Sequence, residues 1–470
     1  MASEIVPLII NGENITTFGS LQPSVLVPSD ETRGPQETVA LGATPELCLK
    51  AVESCETAFS KWRKTSPLER RALFSRLASL LKDNQKTISE VIQKELGCSE
   101  KWALINLGDA IGIAEHIASL VTSGVLSGSV PESSASGSCA VVLKEPLGVV
   151  LGIAPWNAPL ILGLRAVAAA VAAGNTAILK GSELSARTHC LIAHLFREAG
   201  FPPGVVNFLV HKPEDAAICY EAIISHPAVR KCNFTGSTIV GKSIATRAAA
   251  HLKPVLLELG GKNHAIVLED ADLEHAAEEV LVGAFLNSGQ ICMSTDLVWV
   301  HNSVKQDFLS ILRTKITGIS SSEVTKVINS KSDSRVKALV DDARLKGANV
   351  VAGSEGATVL ENVTTEMDFW STESFGPLVG VRGFDYESEC VAGVNGSDYG
   401  LSAAIFTKSH FKGFNLGRTL SVGAVHINAM TVHDEPTLPH GGYKASGYGR
   451  FGGVWAFEEF LQTKTIITNP

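Results

Sequence analysis

The sequence predicts an α/β protein built on parallel sheet, and three observations carry that prediction. Residues 147–252 alternate short apolar strands with helical segments, the pattern of a parallel sheet covered on both faces. A second stretch of the same kind begins around residue 255 and continues past Gly441. The 470 residues also exceed what one hydrophobic core supports, so two large lobes are expected.

Taken in order, the elements follow local signals. Ser66-Pro-Leu-Glu69 is a capping box with proline at the first helical position, and apolar residues recur from it through Leu80. A further helix over 86–96 stops at Gly97, and Ser and Gly dominate an exposed connector from Ser123 to Ser138. The connector leads into a strand, Cys139-Ala-Val-Val-Leu-Lys144. Strands are then predicted near 149–154, 176–180, 205–210 and 231–235, with helices near 159–173, 185–199, 213–223 and 239–250. Gly200 and Pro202-Pro203-Gly204 punctuate one return from helix to strand. Phe460 to Thr468 reads as a last strand with no local partner, a template for pairing across subunits. The run Leu147–Leu179 is long and apolar enough to span a bilayer, but Pro155, Asn157, Pro159, Arg165 and several glycines break it into strand, turn and helix.

Hydrophobic residues make up 45% and charged residues 19%, as in soluble globular proteins. A net charge of −8 and a pI near 5.9 give no footprint for nucleic acid. Nine cysteines without a C-x-x-C pair read as reduced thiols, with no metal site. The start, Met-Ala-Ser-Glu-Ile-Val-Pro, has neither the basic region nor the apolar core of a signal peptide, and a cytoplasmic protein is expected.

Two segments suggest chemistry. Cys292, in Phe285-Leu-Asn-Ser-Gly-Gln-Ile-Cys292, follows Glu258-Leu-Gly-Gly-Lys262 by 34 positions. A thiol in a Gly/Ser/Asn segment and a carboxylate in a Gly-rich turn offer a nucleophile and a base for covalent chemistry on a carbonyl. Against this, Gly236-Ser-Thr-Ile-Val-Gly-Lys242-Ser243 satisfies the phosphate-loop pattern of an ATPase or kinase, with Ala265-Ile-Val-Leu-Glu-Asp270 as a downstream metal-binding strand. A cysteine hydrolase is a further reading, but no histidine stands in a motif suggesting a base partner.

Around the Cys and Glu segments stand Gly152-Ile-Ala-Pro-Trp-Asn157, Leu179-Lys180-Gly-Ser-Glu183, Phe234-Thr-Gly-Ser-Thr238, Glu373-Ser-Phe-Gly-Pro377 and Lys444-Ala-Ser-Gly-Tyr-Gly-Arg450. In this order the motifs resemble the aldehyde dehydrogenase superfamily, from about residue 40 to the C-terminus. The phosphate-loop reading would leave the others without explanation. Further wording, Ala154-Pro-Trp-Asn-Ala-Pro-Leu-Ile-Leu-Gly-Leu-Arg165, His226-Pro-Ala-Val-Arg-Lys-Cys-Asn-Phe and Thr431-Val-His-Asp-Glu435, resembles the salicylaldehyde, benzaldehyde and vanillin dehydrogenase branch.

The resemblance implies two parallel-sheet lobes and a small β oligomerisation arm. The Rossmann-like NAD-binding lobe would take 1–127 and 147–255, the catalytic lobe 256–459, and the arm 128–146 with 460–470, in a homodimer or homotetramer. It implies NAD-dependent oxidation of an aromatic aldehyde, a small-molecule substrate, with no nucleic-acid or membrane partner. Cys292 would attack, Asn157 would hold the oxyanion, and Glu258 would activate water against the thioester. The implied cofactor set is Ile153, Pro155, Trp156, Lys180, Ser182, Glu183, Gly236, Ser237, Gly241, Leu259, Glu373 and Phe375. Within it, Glu183 would repel a 2′-phosphate, and the helix after Gly236 and Ser237 would face the diphosphate. Ser182 and Glu183 also fit a plain helix start.

Arg165 has two readings, a donor to a ring hydroxyl of the substrate or a structural ion pair. Two departures stand out: Gly181 where relatives commonly have proline, and His440 where that branch more often has phenylalanine. The alternatives are a CoA-acylating relative, which usually lacks the matching glutamate, and a non-catalytic member of the fold.

Overall fold

Each alternating stretch lays down one sheet. In the computed structural model, residues 5–27, 37–319, 324–353 and 356–470 are described; the first four residues of the N-terminal segment lie outside them. The first sheet has a parallel centre in the order Val206–Leu209, Thr176–Lys180, Val149–Ile153, Val229–Thr235 and Val255–Glu258. The N-terminal hairpin Leu8–Ile10 and Glu13–Ile15 closes one edge, and the short strand Gly447–Tyr448 closes the other. Strand order reverses between Val149–Ile153 and Val229–Thr235, and such a switch point opens a crevice at the strands' carboxyl ends.

The second sheet runs Asn349–Ala352, Thr358–Glu361, Leu378–Phe384, Thr295–His301, Asn263–Val267, Ser402–Phe406 and Ala424–Ile427. Its pairings are parallel except the first. The expected α/β class with parallel sheets is therefore what the chain adopts.

Local signals place most helices within a residue or two of expectation. Ser66 caps Pro67–Asp83 with both capping-box bonds, and Gly97 ends Gln85–Leu96 at φ 66°. Every residue of Pro159–Ala172 is buried, because the helix is apolar on every side apart from Arg165, whose guanidinium is ion-paired. Its breakers turn the long apolar run into strand, turn and helix, and among the described residues no helix is long and apolar enough to cross a membrane. The predicted 213–223 helix begins later, at Ala216, after a single 3-10 turn over Pro213–Asp215.

Two sequence-distant segments return to the first lobe. Leu461–Thr468 pairs antiparallel with Cys139–Pro146, forming a two-stranded ribbon on which Ile466 and Ile467 are exposed. Phe451, Phe457 and Phe460 join the core of the first sheet, so the chain after Asp434 folds back over the strand that carries Glu258.

Candidate active site

Glu258 is the last residue of its strand, and Asn263 starts the second sheet, so Leu259–Lys262 is a bridge between lobes. The glycines of that bridge are dictated by close approach. A Cβ on Gly260 would stand 2.4 Å from Glu373 Oε2, and one on Gly261 would stand 2.5 Å from the Cys292 carbonyl oxygen. The segment Lys444–Arg450 braces the same bridge: Leu259 N–H donates to Ser446 O at 3.0 Å, and Ser446 Oγ donates to Gly260 O at 2.7 Å.

Cys292 sits on a loop whose backbone is tightly fixed. Asn287, Ser288 and Gly289 are consecutive left-handed residues at φ 49°, 56° and 70°, a conformation costly for the two non-glycines. Neutral hydrogen bonds hold it. Asn263 Nδ2 donates to the carbonyls of Cys292 and Ser294 at 2.8 and 2.9 Å, and Ile328 N–H donates to Gln290 Oε1 at 2.7 Å. The thiol itself is half-buried, and burial, then Glu258 and Glu373, push it well above its usual acidity range, with Arg165 acting the other way.

Asn157 reaches this loop from the switch point of the first sheet. Its Nδ2 donates to Gln290 O at 2.9 Å, leaving a second amide hydrogen free, and its own carbonyl accepts from Trp102 Nε1 at 2.8 Å and Asn287 Nδ2 at 3.3 Å. A buried side-chain amide held through Nδ2, on a backbone whose carbonyl is pinned by Trp102 and Asn287, keeps a spare donor that suits a developing oxyanion.

Glu258 lies in a charged corner. Arg165 Nη1 stands 3.4 Å from each of its oxygens, and Arg165 Nη2 contacts Asp434. His440 Nε2 is 2.5 Å from Glu258 Oε1, and His440 Nδ1 is 3.8 Å from Asp434 Oδ1. Burial raises the pKa of Glu258, but charged His440 and Arg165 outweigh it and hold the carboxyl at about 2. Of the two readings of Arg165, the geometry realises the ion pair, which occupies both terminal nitrogens. Sequence reasoning missed this corner: His440 stood out only as a departure from phenylalanine, and Asp434 only as part of a motif. Trp102, Asn263 and Gln290 were missed too, because each comes from a segment with no chemistry of its own.

Most of the remaining predicted residues lie at or just beyond the carboxyl ends of the first sheet's strands. Lys180 ends its strand, Ser182 Oγ accepts from Leu184 N–H at 3.2 Å, and Glu183 opens a 3-10 turn. Lys180, Ile153, Phe234, Ile239 and Val240 border a mostly apolar cavity of about 290 Å3. Gly236 and Ser237 precede Thr238–Ala250, and Ser237 makes no side-chain cap, so the first-turn N–H groups are free for an anion. Trp156, next to Pro155, meets Phe375 edge-to-face at 5.9 Å across the cleft. Glu373 accepts from Gly261 N–H at 3.0 Å, and burial, eased by that bond, raises it to about 7.

The phosphate-loop reading fails on this geometry. The helix has already begun at Thr238, and Gly241 is packed on Leu259, 2.5 Å from a would-be Cβ, so no loop remains to cradle phosphates. Ala265–Asp270 belongs to the other sheet. Gly181 is explained as well: a Cβ there would meet His189 at 2.7 Å, and its N–H donates to Leu209 O, which proline could not do.

Residues 25–466 match the aldehyde dehydrogenase family. A vanillin dehydrogenase from Pseudomonas sp. (strain HR199 / DSM 7063) is 42% identical over 89% of this chain and 90% of its own length. A salicylaldehyde dehydrogenase from Pseudomonas sp. (strain C18) is 36% identical over 98% of this chain and 96% of its own. The crystal structure of a salicylaldehyde dehydrogenase from Pseudomonas putida G7 complexed with salicylaldehyde superposes with a TM-score of 0.94, at 34% identity, covering 99% of this chain and 98% of that one.

Proposed function

The chain belongs to the aldehyde dehydrogenase family and is an aldehyde-oxidising oxidoreductase, and from that premise we propose that it converts aromatic aldehydes to carboxylic acids with NAD. The single observation that carries the mechanism is the convergence of a fixed Cys292 loop, an Asn157 amide with a spare donor, and Glu258 on one interlobe crevice.

Cys292 Sγ, once deprotonated, attacks the aldehyde carbon, and the Asn157 amide receives the oxygen as it gains charge. NAD, which the turn after Ser237 and the cavity beside Lys180 would hold, would supply the hydride acceptor for oxidation of the Cys292 hemithioacetal to a thioester. Glu258 then takes a proton from the water that releases the acid. No Lewis acid enters this scheme, since the amide stabilises the oxyanion. The uncapped turn after Ser237 and the apolar cavity beside Lys180 fit a diphosphate and an adenosine, and Glu183 favours NAD over its 2′-phosphorylated form. Trp156, Phe375 and Glu373 would hold the nicotinamide end; the first two meet edge-to-face across the cleft.

Aromatic specificity is supported by the vanillin, salicylaldehyde and benzaldehyde dehydrogenases among the similar proteins. Arg165 acts by orienting Glu258 from beside the substrate chamber; its ion pairs leave a ring hydroxyl only its remaining N–H groups. The exposed ribbon Leu461–Thr468 supports assembly as a homodimer or homotetramer, and the free thiols support a cytoplasmic location.

The test is absorbance at the NADH band with NAD or NADP across benzaldehyde, salicylaldehyde, vanillin and short aliphatic aldehydes. Growth with NAD and the aromatic substrates, lost in Cys292→Ala, is expected. Equal rates with aliphatic aldehydes would remove the aromatic assignment, and dependence on added CoA would replace hydrolysis by acyl transfer.

A further inference from the structure

The corner around Glu258 holds more charge chemistry than a lone base requires. Its four members come from separate parts of the chain: Glu258 from Val255–Glu258, Arg165 from Pro159–Ala172, and Asp434 and His440 from the segment between Ala424–Ile427 and Gly447–Tyr448. All are largely buried, His440 at 8% exposure. Two carboxylates face one guanidinium, so the cluster is one positive charge short of neutral, and His440 is the member able to carry or release that charge. Its Nε2 has no aligned hydrogen-bond partner although it lies 2.5 Å from Glu258 Oε1, so a small tilt of the ring completes the link.

A carboxylate paired with a guanidinium is a weak base by itself, since general-base efficiency follows basicity. We propose that His440 is a positioning residue that takes the proton from Glu258 during thioester hydrolysis, so that the working base is a Glu258–His440 pair. This inference rests on the aldehyde-oxidation reading above.

Water oxygen bonds to the acyl carbon as one of its protons moves to a Glu258 oxygen. The carbon–sulfur bond breaks, leaving the carboxylic acid and the Cys292 thiolate. Glu258 hands the proton to His440 Nε2, and Asp434, on the Nδ1 side, stabilises the imidazolium until water removes it. Arg165 and Asp434 border a cavity of about 30 Å3, large enough for water, that is also lined by His116 and Glu435.

Other ionisable groups face this pair and must be separated from it. Cys292 feels both Glu258 and Arg165, and Asp109, on Glu100–Leu120, feels Arg165. His426, on Ala424–Ile427, feels His440 and His433. None of these contacts Glu258 as His440 does.

The experiment compares wild type, His440→Phe and His440→Gln by stopped-flow NADH formation and by the pH profile of steady-state kcat with benzaldehyde. Both variants should keep the first-turnover burst, turn over at least about tenfold more slowly at neutral pH, and show a changed pH profile; the loss is smaller than the roughly 10²–10⁴-fold of removing a general base outright, because Glu258 remains. An unchanged kcat and pH profile in His440→Phe would overturn the proposal, as would loss of the burst itself with the fold intact by circular dichroism. Absence of NADH formation in wild type would instead defeat the aldehyde-oxidation reading.

Discussion

Cys292 and Glu258 border the same crevice and are held by opposite means. The cysteine loop is fixed through its backbone by neutral amide bonds and a left-handed run, leaving the side chain uncommitted. Glu258 has an ordinary strand backbone, and its side chain is gripped by Arg165 and His440. A nucleophile needs a fixed origin and a free sulfur, whereas a base needs a tunable proton affinity. The two supports match those needs.

The sharpest way to break the comparison is to remove the thiol. Cys292→Ala should lower aldehyde oxidation by at least about 10⁴-fold while leaving NAD binding intact, since no second thiol stands in the loop. NADH formation at even a tenth of the wild-type rate would mean that chemistry proceeds elsewhere.

Glu258→Gln probes the other support. The first turnover should persist while steady-state turnover falls about 10²–10⁴-fold, because only hydrolysis uses the base. Equal losses in burst and steady state would mean that Glu258 acts before the thioester forms. Asn157→Ala should lower both phases together, by about 10²–10³-fold, as expected for an oxyanion donor.

Gly261→Ala joins the two regions, since its new Cβ would press on the Cys292 carbonyl. A stability loss of about 1–3 kcal/mol is expected from such overpacking. A fall in activity of about a hundredfold should accompany it, from displacement of the nucleophile. Urea unfolding and assay of the same preparation separate the two effects.

The smallest effect concerns Glu373. Its folded value of about 7 lies above the ordinary 4.5, so the native protein holds a proton that the unfolded chain has lost between those values. Stability should therefore fall as pH rises from about 4.5 to 7, and Glu373→Gln should flatten that part of the Tm profile. A variant that parallels wild type across this window would remove Glu373 as the source.

The parallel sheets and the motif-bearing loops were legible because their signals are local. Ser66 announces a cap, Gly97 a helix end, and the breakers between Leu147 and Leu179 a turn inside the core. Cys292 and Asn157 stood out because each lies in a distinctive turn, and Glu258 because it ends a strand just before the Gly260-Gly261 turn. The charged corner was not legible, since Arg165, Glu258, Asp434 and His440 meet only after the chain beyond Asp434 folds back over the first sheet. The phosphate-loop pattern, already set aside because it left the other motifs unexplained, fails for a related reason: two spaced glycines specify no cradle once the helix begins at Thr238.

The central claim is that an acyl group passes through Cys292 and leaves by way of Glu258. Mass spectrometry of Glu258→Gln mixed with benzaldehyde and NAD tests it most directly. The peptide containing Cys292 should gain the mass of a benzoyl group, together with about one equivalent of NADH per active site. NADH formation with an unmodified Cys292 peptide would contradict the account.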